Sequence, residues 1–276
     1  MTSLIRILQP QTAKKIEGLE DLSTAPQFRK AIIPVYYRRK REDVLTELPE
    51  LIESKEWCSL REEEKIAYEE AIISKNYSES RRVSWNIDSI NGSSKASRLL
   101  ELVEEAEDDG RKILVFSYFL DTIRKITLLL GGRCTNPITG SVAPQRRQEI
   151  IDEFETSPAG TVLVAQIQSG GTGLNIQSAS VVVICEPQLK PSIENQAISR
   201  AYRMGQTRNV LVYRLLCENT IDERITKMLE DKQAEFDAFA DKSDAAIENF
   251  EIDNNTLGDI IQEEIDRINA EKNKEQ

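Results

Sequence analysis

The 276-residue sequence contains no histidine. That absence removes Ser-His-Asp and Cys-His nucleophilic mechanisms and any imidazole general base. It also deprives common zinc sites of a ligand, and the four cysteines (Cys58, Cys134, Cys185, Cys217) form no C-x-x-C pair. No metal site is expected from this chain. A G-x-x-x-x-G-K-[ST] phosphate loop is missing, as is an acidic box at the end of a strand, so no nucleoside triphosphate is held here in the usual way. No apolar run approaches the roughly 18 residues of a membrane helix. Met1 to Gln9 is too short and too polar for a signal segment, so a cytoplasmic location without a membrane partner is expected. What chemistry there is must rest on carboxylates, arginines, lysines and backbone groups, which favours phosphoryl transfer over triad-type hydrolysis.

The net charge of −11 is unevenly spread. From Glu218 onward there are 18 acidic and 7 basic residues, whereas the first 217 residues carry 29 of each. Overall acidity therefore does not argue against a nucleic-acid partner for the body of the chain.

From Ser93 the sequence alternates helix-like and strand-like segments. Leu99, Leu102, Val103 and Ala106 fall at helical spacing, with Ser93 or Ser94 as cap. Lys112 to Ser117, Thr161 to Ala165 and Ser180 to Cys185 are short apolar runs of the kind buried parallel strands show. Helical stripes at Ile123–Leu130 and Gln145–Phe154 separate them, Ser192 to Arg203 reads as a further helix, and Val210 to Leu216 is strand-like. Thr220 caps a last helix beginning I-D-E-R. The alternation predicts an α/β fold, a parallel sheet with helices on both faces. Residues 1–92 lack it and read as helices, with 76–92 a linker or mobile loop; 93–231 form the α/β lobe. Residues 232–276 read as an acidic helical tail whose stripe of Ile260, Ile261, Ile265 and Ile268 needs a partner, in the core domain or in another protein.

Two segments carry the candidate chemistry. Gln196 to Gln206 reads Q-A-I-S-R-A-Y-R-M-G-Q and sets Arg200 and Arg203 three residues apart, on one face of any helix containing them. Guanidinium groups suit charge spread over phosphate oxygens, although an isolated R-x-x-R is more often a solvated stripe. Gln168 to Asn175 reads Q-S-G-G-T-G-L-N directly after a strand, where glycines allow a tight turn or close approach to a phosphate.

With these segments in order, the sequence resembles the second RecA-like lobe of Swi/Snf-type superfamily 2 DNA translocases. S-G-G-T-G-L-N-I-Q-S-A-S is similar to the family's G-G-x-G-L-N-L-x-x-A motif. E-P-Q-L-K-P-S-I-E-N-Q-A-I-S-R-A-Y-R-M-G-Q is similar to D-P-x-W-N-P-x-x-E-x-Q-A-x-x-R-x-H-R-I-G-Q. K-I-L-V-F-S, I-T-G-S-V-A-P-Q-R-R-Q, Y-R-R-K-R-E-D-V-L-T-E-L-P and T-I-D-E-R-I match further signatures in the same order. Glu186, Leu189, Lys190 and Tyr202 depart from the pattern, and R-A-Y-R-M-G-Q-T-R looks more like bacterial members. The resemblance implies that ATP binds between two lobes, with the phosphate loop and Mg²⁺ ligands on a first lobe upstream. This chain would begin in that lobe's last helices, or be an excised second lobe, and be inactive alone. Arg200 and Arg203 become arginine fingers, Gly171, Gly173 and Gln196 nucleotide contacts, and Ser117, Ser141, Arg146, Ser169 and Gly170 contacts to double-stranded DNA. The basic cluster Arg38 to Arg41 would connect the lobes or touch DNA. Two alternatives stay open: an interaction module keeping the lobe fold without catalysis, and an RNA-directed helicase of the same superfamily.

Overall fold

The structure is a computed structural model that describes residues 48–168, 174–238 and 250–273, together with residues 11 and 14. The Arg38–Arg41 cluster, most of the expected N-terminal helical segment, and Ser169, Gly170, Gly171 and Gly173 lie outside the described residues. Among the described residues the strands are β1 (Leu51–Cys58), β2 (Ile113–Ser117), β3 (Val162–Gln166), β4 (Val181–Ile184) and β5 (Val210–Cys217). The principal helices are α1 (Glu62–Ile73), α2 (Ser94–Asp108), α3 (Leu120–Leu130), α4 (Pro144–Thr156), α5 (Pro191–Ile198), α6 (Ile221–Ala238) and α7 (Asn254–Lys272). The strands form one sheet in the order β1-β5-β4-β2-β3, and every neighbouring pair is parallel.

The central strands are apolar because both of their faces are covered. Leu114, Phe116, Leu163, Ala165, Val182 and Ile184 point to one face and pack with Ile150, Ile151 and Phe154 of α4 and Ala197 and Ile198 of α5. The alternate residues Ile113, Val115, Val162, Val164, Val181 and Val183 pack on the other face with α2 and α3. Local signals close the helices as expected. Ser93 caps α2 by accepting from the Ala96 N–H, and Gly131, at φ 53°, ends α3.

Within residues 48–92 the expected helix over Glu62–Ile73 forms as α1, but a strand precedes it and a packed segment follows it where further helix and a linker were expected. Leu51 to Cys58 form a strand that pairs with β5 in register, from Leu51 with Val210 to Cys58 with Cys217. As L-I-E-S-K-E-W-C lies at the sheet edge, only part of it is buried, which leaves no continuous apolar run to signal a strand. The 76–92 segment is packed: Trp85 is fully buried in the α2–α3 face, and its indole N–H donates to the Cys185 carbonyl at 3.0 Å.

The isoleucine stripe of α7 finds its partner in the core domain. Ile260, Ile261 and Ile268 join Tyr68 and Ile72 of α1 and Ile221 and Ile225 of α6 in a third apolar cluster. Glu264, 1% exposed, sits inside that contact and accepts from the Tyr68 hydroxyl at 2.9 Å and Arg224 at 2.7 Å. Tyr68 in turn accepts from the Ile221 N–H at 2.8 Å, so one buried network joins all three helices.

Candidate functional site

The C-terminal ends of the parallel strands are where ligands bind in open α/β sheets. Around β2 and β4 that edge is built by a buried carboxylate. Glu186, 1% exposed, accepts from the Tyr118 N–H and from the Ser117 hydroxyl at 3.1 Å. Burial raises its pKa to about 7, opposed by the Tyr118 N–H, by Arg81 and Lys95, and by Ser117. Ser117 is itself fully buried, so its hydroxyl serves Glu186 and does not face outward as a DNA contact, a correction to the sequence expectation.

The arginine turn also differs from expectation. Helix α5 ends at Ile198 and residues 199–205 continue as turns and bends, so Arg200 and Arg203 do not share a helix face. The cause is competition for carbonyls. In a continuing helix the Arg200 and Ala201 oxygens would accept from residues four further on. Here Arg200 O accepts from the Ile176 N–H at 3.0 Å, and Ala201 O from the Gln206 carboxamide at 3.1 Å. Gly205, at φ 98°, then turns the chain away.

The two arginines take different environments. Arg200 is 7% exposed, its guanidinium 5.4 Å from the centroid of the Phe116 ring and 3.5 Å from the Ile167 carbonyl. It therefore lies over the ends of β2 and β3, pairs with no carboxylate among the described residues, and has its pKa lowered by burial. Arg203 is exposed, next to the exposed Met204. Gln196 is exposed in the last turn of α5.

Of the other site residues, Ser141 is exposed and hydrogen-bonded to Thr139 at 2.9 Å. Its loop is held to the end of β3 by Gly140 N–H to Gln166 Oε1 at 3.1 Å, and to α4 by Arg147 Nε donating to the Val142 carbonyl at 2.8 Å. Arg146, exposed on α4, pairs with Glu149 at 2.8 Å; such a surface pair is weak enough to exchange for a phosphate.

Several parts of this edge carry no motif of their own. Arg81 lies over the Tyr118 and Phe119 rings at 5.2 and 5.4 Å. Lys95 and Asp222 form a buried ion pair at 2.5 Å beneath β4 and β5, and Asp222 Oδ2 also accepts from the Cys217 N–H at 3.1 Å. Asp222 belongs to T-I-D-E-R, but nothing in that run names a lysine 127 residues away. Among the described residues no group of three His, Cys, Asp or Glu side chains could hold a metal ion, and no helix is long and apolar enough to cross a membrane.

A parallel sheet with helices on both faces, and an arginine turn over the ends of its strands, is the arrangement of the RecA-like class. Residues 94–205 match the family model of the helicase conserved C-terminal domain. Over 247 residues the chain is 28% identical to an ATP-dependent helicase of Mycoplasma genitalium, covering 81% of this chain and 24% of that protein. A helicase of Mycoplasma pneumoniae is 36% identical over 146 residues, covering 52% and 14%. Among solved structures, the Sulfolobus solfataricus SWI2/SNF2 ATPase core in complex with double-stranded DNA superposes with a TM-score of 0.55 at 26% identity, covering 78% of this chain and 52% of that one. Residues 94–205 thus carry a helicase conserved C-terminal domain, and the chain is similar to the C-terminal lobe of Swi/Snf-type superfamily 2 helicases. It spans a quarter or less of the length of the two curated relatives.

Proposed function

We propose that the chain works as one half of an ATP-dependent translocase on double-stranded DNA, the nucleotide lying between it and a first lobe of the same protein. Arg200 carries the reading. A permanent cation is buried against an aromatic ring with no carboxylate beside it among the described residues. Burying an unpaired charge costs several kcal/mol, and an incoming anion offsets that cost. A triphosphate is such an anion. Arg203, exposed on the same turn, then meets the charge that develops on the γ-phosphoryl oxygens. Arginine fingers of this kind accelerate GTPases by about 10³–10⁵-fold.

Gln196 contacts the nucleotide from the last turn of α5, and Gly171 and Gly173 let backbone approach it. Ser141, Arg146, Ser169 and Gly170 follow one DNA strand through its phosphates, which positions the duplex without reading bases. Ser117 contributes from behind, by holding Glu186. Mg²⁺ ligands belong to the first lobe; the bound ion neutralises phosphate charge. Lobe closure on ATP and opening after hydrolysis move the duplex past the site. The setting is the cytoplasm, on the nucleoid in a bacterium. Duplex DNA is favoured over RNA by the archaeal relative solved on DNA.

In the protein carrying both lobes, Arg203→Ala is expected to abolish turnover, by about 10³-fold or more, with ATP binding nearly intact. A large loss of ATP affinity at normal turnover contradicts the finger role. DNA-stimulated hydrolysis by these 276 residues alone contradicts the shared site.

A further inference from the structure

We infer that Gln206 is a positioning residue for the arginine turn, fixing the backbone from which Arg200 and Arg203 act; this rests on the function proposed above. Its side chain is 6% exposed and its carboxamide is fully engaged. Nε2 lies 3.0 Å from the carbonyls of Gln177 and Ala179 and 3.1 Å from that of Ala201. Oε1 accepts from the N–H groups of Thr207 and Arg208, both at 3.0 Å. One planar group thereby ties the arginine turn to the 177–179 segment and to the chain leading into β5.

Two further contacts complete the clamp. The Ile176 N–H donates to the Arg200 carbonyl at 3.0 Å, and Gln177 Nε2 donates to the Met204 carbonyl. Between them the Arg203 carbonyl accepts from the Gln206 N–H at 3.0 Å. The turn is held at residues 200, 201, 203 and 204, so Arg203 is exposed in its side chain but anchored in its backbone. Gly205 fits the same construction: a Cβ there would stand 3.0 Å from both the carboxamide nitrogen and the carboxamide oxygen of Gln177.

The chemistry asks for glutamine. Glutamate of the same length turns the donor end into an acceptor facing three carbonyls. Methionine keeps the shape and removes both ends. Displacing a finger by about 1 Å costs on the order of 10²-fold in rate, while binding made elsewhere on the nucleotide survives.

The test is steady-state ATP hydrolysis, with duplex DNA, by the protein carrying both lobes. Gln206→Met is expected to lower kcat by roughly 10- to 100-fold with KM for ATP within about twofold. Gln206→Glu is expected to be worst at high pH. Its activity relative to wild type recovers as pH falls, because the protonated carboxyl regains one O–H donor. Gln177→Ala, which removes only the outer contact, gives a smaller loss of kcat in the same direction and carries the test if the Gln206 variants do not fold. A purely structural role predicts fewer folded molecules but unchanged kcat per folded molecule and an unchanged pH profile. Wild-type kcat in folded Gln206→Met, or in Gln177→Ala should the former not fold, overturns this inference. Arg203→Ala would then still report separately on the proposed function.

Discussion

Replacing Arg200 with methionine asks whether that guanidinium is kept for the fold or for chemistry. Methionine retains much of the side chain's length and deletes its charge. Three effects compete. The cation over Phe116, 5.4 Å from the ring centroid, is worth about 0.5–2 kcal/mol. The hydrogen bond to Ile167, at 3.5 Å, is too long to add much. Against both stands the desolvation of an ion that is 7% exposed with no carboxylate beside it, a cost of several kcal/mol. The balance favours the neutral side chain. Arg200→Met is expected to raise the free energy of unfolding by about 1 kcal/mol, while ATP turnover in the two-lobed protein collapses. Urea unfolding followed by far-UV circular dichroism measures the first quantity, and the slope with denaturant shows whether the two states are comparable. Destabilisation by more than about 2 kcal/mol would refute the reasoning, because the guanidinium would then be part of the packing and not a charge awaiting an anion.

The remaining predictions concern the frame around that turn. Burial raises Glu186 from 4.5 to about 7, so the native state keeps a proton that the unfolded chain releases across that interval. Its contribution to stability is therefore full below about pH 4.5, is lost as pH rises through 7, and is flat above. Glu186→Gln should remove this slope and gain roughly 1–3 kcal/mol above pH 7, read from urea midpoints between pH 5 and 8; an unaltered slope excludes the assignment. Trp85→Ala should cost about 3–5 kcal/mol in the same unfolding assay, through the lost indole and its hydrogen bond. A cost near zero would restore residues 76–92 to the role of a linker.

Where a segment's environment is uniform, its sequence announces it. The runs at Ile113–Ser117, Val162–Gln166 and Val181–Ile184 are covered on both faces and read directly as buried strands. Leu51–Cys58 is half covered and charged, so its membership of the sheet depends on β5, far along the chain, and no local pattern reports it. The arginine turn failed as a helix for a similar reason: residues 196–203 have helical composition, but Ile176 and Gln206 claim the carbonyls that a helix needs. The likeness to a helicase C-terminal domain was legible because its arginine and glycine motifs are local runs of sequence. The site's inner support was not, since Glu186 with Ser117 and Lys95 with Asp222 meet only in three dimensions.

The register of β1 on β5 joins Leu51 to Val210, 159 residues later. At about 5–20 residues per second, a ribosome needs roughly 10–30 s to deliver the second strand after the first. For that interval Leu51–Cys58, with its Ile52 and Trp57, is a strand without a partner. Glu53, Lys55 and Glu56 then act as guards, since charges within a strand disfavour pairing with another nascent chain. The charges that hide β1 from a reader of the sequence also keep it from pairing too early.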